Sequence, residues 1–594
     1  MKKRKEDLDE VKRTQRWFAR EVTYEGEPYM IDAEQAAAVV DDSQNAIVAA
    51  RAGSGKTRTI VAKIVYLVAK RGIKPEEITA FVFNANAAVE INARLSKMRV
   101  RGKQIIHNVQ IASTFHAFAR KIVFDVCGGK QKCGEILADD KAQYIGIIIK
   151  KMLDEPEWAE KINRFIFGKE RMEDARTRID GKEIGHFVGN TTQFVSRAQQ
   201  RFLVGENNLS KIVKKRIANE KLGIQERRFV ELGLECYRRY HWYLLDENAR
   251  NKLLRKNNYY MKYGTDFNLL MSWASKLIER GDDKIREILK DKKYLLIDEY
   301  QDFSQLFLAM VMAIRKIQPK VKLFVVGDDW QAINRFAGSD VGYFREFEKY
   351  FENRVRRMEI TTNYRCDYEI VEMARRFMKR AMNEKGVFKA KSKRAGKVVL
   401  VNLKDVQVEH ILIDYDENIS GEDLIYNRMA IKMLGMLPKK ATVEYMKVLV
   451  QIIRKNKKAS EIMLLHRNNE TNIEGISLEQ LKNGLRYGLG KLGIMNGEEF
   501  KKKVQVMTMH KSKGLEAEVV IILEADEGVI PKTHPDTSLY GIFGETDEAV
   551  RDDQKRLFYV AMTRAKKRLY IMHNSAKGAG FTKFLGRGIE KWEN

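Results

Sequence analysis

The sequence predicts an α/β protein of two lobes, each a parallel sheet flanked by helices, with a helical insertion in the first lobe. Three observations carry that prediction. Short apolar runs recur in two series, each run bounded by polar or turn residues, as strands covered on both faces by helices must be. A long stretch rich in Lys, Arg and Tyr interrupts the first series. A glycine-rich turn joins the earliest run to an apolar segment with helical spacing. The 594 residues, at roughly 150 per domain, leave room for about four domain-sized units.

The first series comprises residues 45–50, 78–83, 110–113, 294–297 and 323–326, and the second comprises 397–401, 461–465, 504–509, 519–522 and 568–572. The expected division is a basic N-terminal segment over 1–30, a first lobe over 31–121 and 265–345, the insertion over 122–264, and a second lobe over 346–594. No repeat of solenoid period and no low-complexity linker divides the halves.

Composition narrows the class. Lys and Arg number 109 against 81 Asp and Glu, a net charge of +28, while 44% of residues are hydrophobic. So apolar a chain is not globally disordered, and so basic a chain favours a polyanionic partner, because neutralising phosphates releases counterions. Four cysteines, at 127, 133, 236 and 366, exclude a disulfide framework, and none has the neighbours of a zinc site. No run of about 18 apolar residues offers a membrane span, and the basic start never becomes a signal-peptide core. A cytoplasmic setting without a membrane partner is expected.

The turn carries the first chemistry. In Ala52, Gly53, Ser54, Gly55, Lys56 and Thr57, the glycines let backbone N–H groups turn inward on phosphate oxygens at a helix N-terminus, whose dipole favours negative charge. Lys56 then reaches the β- and γ-phosphates and the Thr57 hydroxyl ligates Mg²⁺. Such a site needs an acid, and the run 294–297 ends in Asp298 and Glu299. Asp298 can hold Mg²⁺ through water, and Glu299 can orient or deprotonate an attacking water.

From Gln35 to Arg564 the chain carries further short motifs in a fixed order. They are residues 32–35, 50–57, 81–90, 112–118, 265–270, 298–302, 326–338, 363–366, 508–516 and 559–565. In this set and order the sequence resembles the superfamily 1 DNA helicases of the UvrD/Rep type, and most closely the helicase IV branch, on account of Asp329-Trp330-Gln331. Arg51 stands where that family has Gly, Asn86 where it has Lys, Asn268 where it has Asp, Asn334 where Tyr is common and Phe336 where Trp is common. The relatives' extra domain before residue 504 has no room here, since the stretch 484–503 is too short for 50 or more residues.

The resemblance implies two RecA-like lobes with ATP and Mg²⁺ between them. Arg365 and Arg564 resemble arginine fingers from the second lobe, the cations that charge spreading on the γ-phosphate requires. Gln331 resembles the γ-phosphate sensor, Gln35 the reader of the adenine edge and Glu516 the acceptor from the ribose. Adenine would lie between Tyr364 and the Arg58 guanidinium. Phe83 and Phe336 match positions where aromatics stack on single-stranded bases. Asn84, Thr114, His116, Thr508 and His510 match strand-contacting motifs.

The implied function is an ATP-dependent translocase on single-stranded DNA that moves 3′ to 5′ and unwinds tailed duplexes in repair, recombination or replication. The alternative is an ATPase subunit of a nuclease or defence complex, or a translocase that displaces proteins, with a nuclease or repair factor as partner. The insertion, with Arg238, Arg239, Trp242 and Arg255, is expected to supply the duplex-facing surface.

Overall fold

The fold is that of a computed structural model describing residues 2–107, 109–127, 135–136, 138–168, 181–202, 213, 218, 222–245, 265–351, 355–403, 425–426, 428–430, 433, 440–472, 474–532, 535–574, 580–586 and 589–592. Strands Asn45–Ala50 and Tyr294–Ile297 are buried along their whole length, as their apolar runs require. They belong to a six-stranded, all-parallel sheet whose order is Val355–Ile360, Asn45–Ala50, Lys322–Gly327, Tyr294–Ile297, Ile78–Val82 and Ala112–Thr114. In register, Ile297 pairs with Val325 and Phe81, and Gly327 pairs with Ala49. The residues after these strands therefore emerge together along the carboxyl edge, where open parallel sheets bind ligands.

Two expected boundaries move. Val355–Ile360 pairs with Asn45–Ala50 as the edge strand of the first sheet, so this lobe runs past residue 345. Its exposed Arg356 and Arg357 hide the strand from a search for apolar runs. The N-terminal segment is no separate tail either. Helix Lys2–Glu21 buries Trp17 and Phe18 in the first lobe's core, and Trp17 meets the Tyr66 ring edge-on with centroids 6.4 Å apart.

The second lobe repeats the plan with a parallel sheet ordered Val504–Thr508, Ile462–His466, Ala517–Ile522, Ala565–His573, Lys397–Asn402 and Glu590–Lys591. Between the end of helix Leu478–Lys491 and strand Val504–Thr508 stands only the short helix Gly497–Lys503.

The insertion holds helices Ala138–Leu153, Pro156–Phe167, Gly181–Phe202 and Ile224–Leu245 around one core. That core also takes in Leu539, Tyr540, Ile542 and Phe543 of the second lobe. The Arg197 guanidinium, buried in helix Gly181–Phe202, forks onto Glu545 at 2.5 and 3.2 Å and lies over the Tyr540 ring at 4.0 Å. The segment around Pro535–Phe543 thus clasps the first lobe's insertion. Among the described residues no helix is long and apolar enough to cross a membrane.

Candidate nucleotide and nucleic-acid sites

Gly53 and Gly55 adopt φ of +66° and +83°, the left-handed region that lets the loop curl its amides toward helix Lys56–Arg71. The loop is gripped from both lobes. A Cβ on Gly53 would stand 2.5 Å from Asn363 Nδ2 and 2.8 Å from Arg365 Cβ, and one on Gly55 would stand 2.8 Å from Gln35 Nε2. Asn363 Nδ2 donates to the Ala52 carbonyl at 2.7 Å, and the Tyr364 N–H donates to the Gly53 carbonyl at 2.8 Å.

Facing the loop, Thr57 Oγ1 donates to Asp298 Oδ2 at 3.3 Å, while Asp298 Oδ1 accepts from the Glu299 N–H at 2.8 Å. Glu299 holds φ +51°, a strained conformation for a non-glycine residue and one that clusters at functional sites. Burial and the neighbouring Glu299 charge push the Asp298 carboxyl up. Burial pushes Glu299 up as well, but Lys56, Lys513, a hydrogen bond from Gln301 and Arg564 outweigh it and hold it down. The two adjacent carboxylates thus separate into one that resists charge and one that keeps it.

Across the cleft, Arg564 is 1% exposed. Its Nε donates to the Val560 carbonyl at 2.9 Å, Nη1 to the Leu515 carbonyl at 3.1 Å and Nη2 to Gln331 Oε1 at 3.4 Å. Gln331 Nε2 donates to Asp328 Oδ2 at 2.6 Å. Arg365 Nε donates to Glu516 Oε2 at 2.6 Å, and Lys566 adds a second pair to Glu516 at 2.9 Å. Burial raises the Glu516 carboxyl, but Arg365 and Lys566 outweigh it and hold it below the usual range.

The adenine-side residues are arranged differently from expectation. Both ends of the Gln35 amide are engaged within the protein: Nε2 donates to the Ser54 carbonyl at 2.9 Å, and Oε1 accepts from the Asp32 N–H at 3.1 Å in a capping box. The Arg58 guanidinium lies 4.3 Å over the Tyr29 ring and donates to the Met30 carbonyl at 2.8 Å, while Tyr364 donates to Asp32 at 2.5 Å. Tyr29 carries no motif signal. Lys513, which pairs with Asp302 and donates to the Gln331 carbonyl at 3.1 Å, was legible only as part of the stretch 508–516.

Of the expected strand-contacting residues, Phe83, His116, Phe336 and His510 fall into two cavities against helix Gly181–Phe202. The larger, about 490 Å³, gathers Phe83, His116, Phe267 and Phe307 opposite Thr192, Ser196 and Gln200. Its Phe307 stacks on Phe115, and Phe115 on Phe81 behind it, with centroids 4.4 and 4.2 Å apart. Phe83 is 40% exposed. The smaller cavity, about 200 Å³, gathers Phe336, His510, Arg335 and Arg467. Phe336 is 56% exposed and stands edge-on to His510 at 5.6 Å. Arg467 Nε is buried and finds no hydrogen-bond partner among the described residues. Asn84 and Thr114 line neither cavity; each accepts an N–H at a helix start, from Ala87 and Ala117. Thr508 is buried and accepts from the Lys511 N–H at 3.4 Å.

Of the insertion's basic residues singled out above, Arg239 is turned onto carboxylates of the protein, while Arg238 keeps its side chain 71% exposed. Arg239 pairs with Glu155 and Glu235, both at 2.6 Å, and Arg238 pairs with Glu235 at 2.7 Å. Trp242 is exposed, and Arg255 lies outside the described residues.

Comparison with known proteins adds an independent line. Residues 31–352 match the UvrD/REP helicase N-terminal domain, and residues 439–576 match the UvrD-like helicase C-terminal domain. DNA helicase IV of Escherichia coli is 24% identical over 575 residues, covering 93% of this chain and 69% of the relative. A probable DNA helicase of Mycoplasma pneumoniae is 24% identical, covering 92% of this chain and 84% of the relative. The ATP-dependent DNA helicase PcrA of Staphylococcus epidermidis is 24% identical, covering 59% and 40%.

Proposed function

The chain belongs to the UvrD/Rep family of DNA helicases, and from that premise we propose that it hydrolyses ATP to move 3′ to 5′ along single-stranded DNA and to unwind tailed duplexes. The observation that carries this reading is the seam between the lobes. The phosphate loop lies against Asn363 and Arg365, while Arg564 faces Gln331 beside Asp298 and Glu299.

Lys56 and the loop amides neutralise the phosphates, and Glu299, kept ionised, takes the proton of the attacking water. Arg365 and Arg564 stabilise the charge that spreads over the γ-phosphate oxygens. The donor set fits Mg²⁺: Thr57 and Asp298 offer hard oxygens, and the raised Asp298 carboxyl is a site short of positive charge. Thr57 and Asp298 would hold the ion, which supplies charge neutralisation at the phosphates when bound. Adenine stacks between Tyr364 and Arg58, with Gln35 holding the loop rather than reading the base edge, and the ribose hydroxyl competes with Arg365 for Glu516.

Bases stack on Phe83 and Phe336, with His116 and His510 beside them, and no sequence is read because stacking tolerates every base. The setting is cytoplasmic, in repair, recombination or replication. ATPase and strand-displacement assays with single strands and with 3′-tailed, 5′-tailed and blunt duplexes test the reading. DNA-stimulated hydrolysis with unwinding of the 3′-tailed duplex supports it. Hydrolysis without any strand separation would reduce the protein to a translocase.

A further inference from the structure

We propose that Arg51 is a positioning residue for ATP hydrolysis, tying the phosphate loop to Asp328 and so setting the orientation of Gln331 and Glu299. The inference rests on the catalytic reading above. Arg51 is the loop's first residue, anchored by its own N–H on the Ile360 carbonyl at 3.0 Å. Its side chain leaves the loop and enters the seam between the lobes. Nη1 donates to Asp328 Oδ1 at 2.9 Å and to Asp329 Oδ1 at 2.7 Å, and the guanidinium lies 4.1 Å over the Trp330 ring. Gly386 of the second lobe closes the other side: a Cβ there would stand 2.7 Å from Arg51 Nη2 and 2.8 Å from Trp330. Trp330 itself is buried in the second lobe's core, edge-on to Tyr559 at 5.5 Å.

Asp328 is the branch point. Its Oδ2 accepts from Gln331 Nε2, which leaves Gln331 Oε1 turned toward Arg564. Its backbone N–H donates to Gln301 Oε1 at 2.8 Å, and Gln301 Nε2 donates to Glu299 Oε2 at 2.5 Å. Asp328 is fully buried beside a second carboxylate, an arrangement that needs a cation. Arg345 reaches Asp329 at 3.1 Å through its other oxygen and is shared with Glu384, so Asp328 depends on Arg51. Without that cation the buried Asp328 carboxylate is left uncompensated, the acceptor that fixes Gln331 weakens, and the Gln301 contact to Glu299 shifts with it. Glycine, which stands at this place in the family pattern the sequence resembles, has no side chain to make the strut.

The test uses the full chain with Arg51→Met, Arg51→Lys, and Arg51→Met combined with Asp329→Asn, which removes one buried charge should the single variant fold poorly. Lys56→Ala runs in parallel. Tm, KM for ATP and kcat at saturating single-stranded DNA are measured. Arg51→Met lowers kcat at least about tenfold, the scale expected when a reacting group is misplaced by a fraction of an ångström, while KM stays within about threefold. Arg51→Lys recovers part of the kcat, since an ammonium restores the charge but not the planar fork. Parental kcat in the Met variants overturns the proposal. So does a parallel loss of kcat, ATP affinity and Tm with no recovery by Lys, which marks Arg51 as scaffold. If Lys56→Ala hydrolyses ATP normally, the catalytic reading itself fails and takes this inference with it.

Discussion

Replacing Arg564 by Met slows hydrolysis without destabilising the protein, an unusual pairing that follows from how this guanidinium is buried. Arg564 is 1% exposed, and among the described residues no carboxylate pairs with it; its donors end on two carbonyls, the Gln331 amide oxygen and the Thr563 hydroxyl. Burial, and then repulsion from Arg365, lower its proton affinity to about 9. That depression amounts to as much as about 5 kcal/mol held against the charged form in the folded state. Met fills most of the volume and removes the charge, at the cost of four hydrogen bonds worth about 1 kcal/mol each. The balance leaves the variant at least as stable as the parent, a strain of the kind stored at functional sites. Loss of a cation facing the γ-phosphate lowers kcat by about 10³-fold. ATPase at saturating single-stranded DNA, with thermal unfolding of the nucleotide-free protein, reads both numbers. A kcat within tenfold of the parent, or a clear fall in Tm, would refute the reasoning.

Four further outcomes are expected. Gly53→Ala meets Asn363 and Arg365 at under 3 Å and forces a left-handed backbone on alanine; kcat falls by more than tenfold and Tm falls with it, measurable by ATPase and thermal unfolding together. Phe336→Ala, at an exposed ring, leaves Tm unchanged but weakens single-strand binding by about 1–3 kcal/mol, read by fluorescence anisotropy against labelled oligonucleotides. Arg197→Met strands a buried Glu545 and costs about 3–5 kcal/mol at the clasp; hydrogen exchange should rise in residues 535–545, and equal protection in both proteins would count against the clasp. His116 and His510 are pushed down to about 4 by burial and neighbouring cations, so the unfolded chain binds protons that the folded one refuses. Stability is therefore full above pH 6.5 and falls as pH drops toward 4, and Tm of His116→Asn with His510→Asn should depend less on pH across that window.

What the sequence by itself determined is local chemistry and the order of the strands' ends. The glycines at 53 and 55, the lysine and threonine after them, and a carboxylate pair ending an apolar run are each specified within a few residues, because loop curvature and strand period are short-range properties. The parallel plan then brings Lys56, Thr57, Asp298 and Glu299 to one edge, and motif order places Arg365 and Arg564 in the other lobe. Tertiary structure alone decided partners that lie far apart in sequence. Val355–Ile360 is a strand only because Asn45–Ala50 offers an edge, Arg356 and Arg357 both being exposed. Arg238 and Arg239 look alike in sequence, yet Arg239 is turned in between Glu155 and Glu235 while Arg238 stays exposed. Arg58 finds Tyr29 rather than an empty pocket, and Gln35 holds the loop from a helix cap. The Pro535–Phe543 segment shares its core with an insertion more than three hundred residues away, tied by Arg197 and Glu545. Charge and apolar character are written residue by residue, but which opposite charge or which cavity receives a side chain depends on packing between elements that no local period encodes.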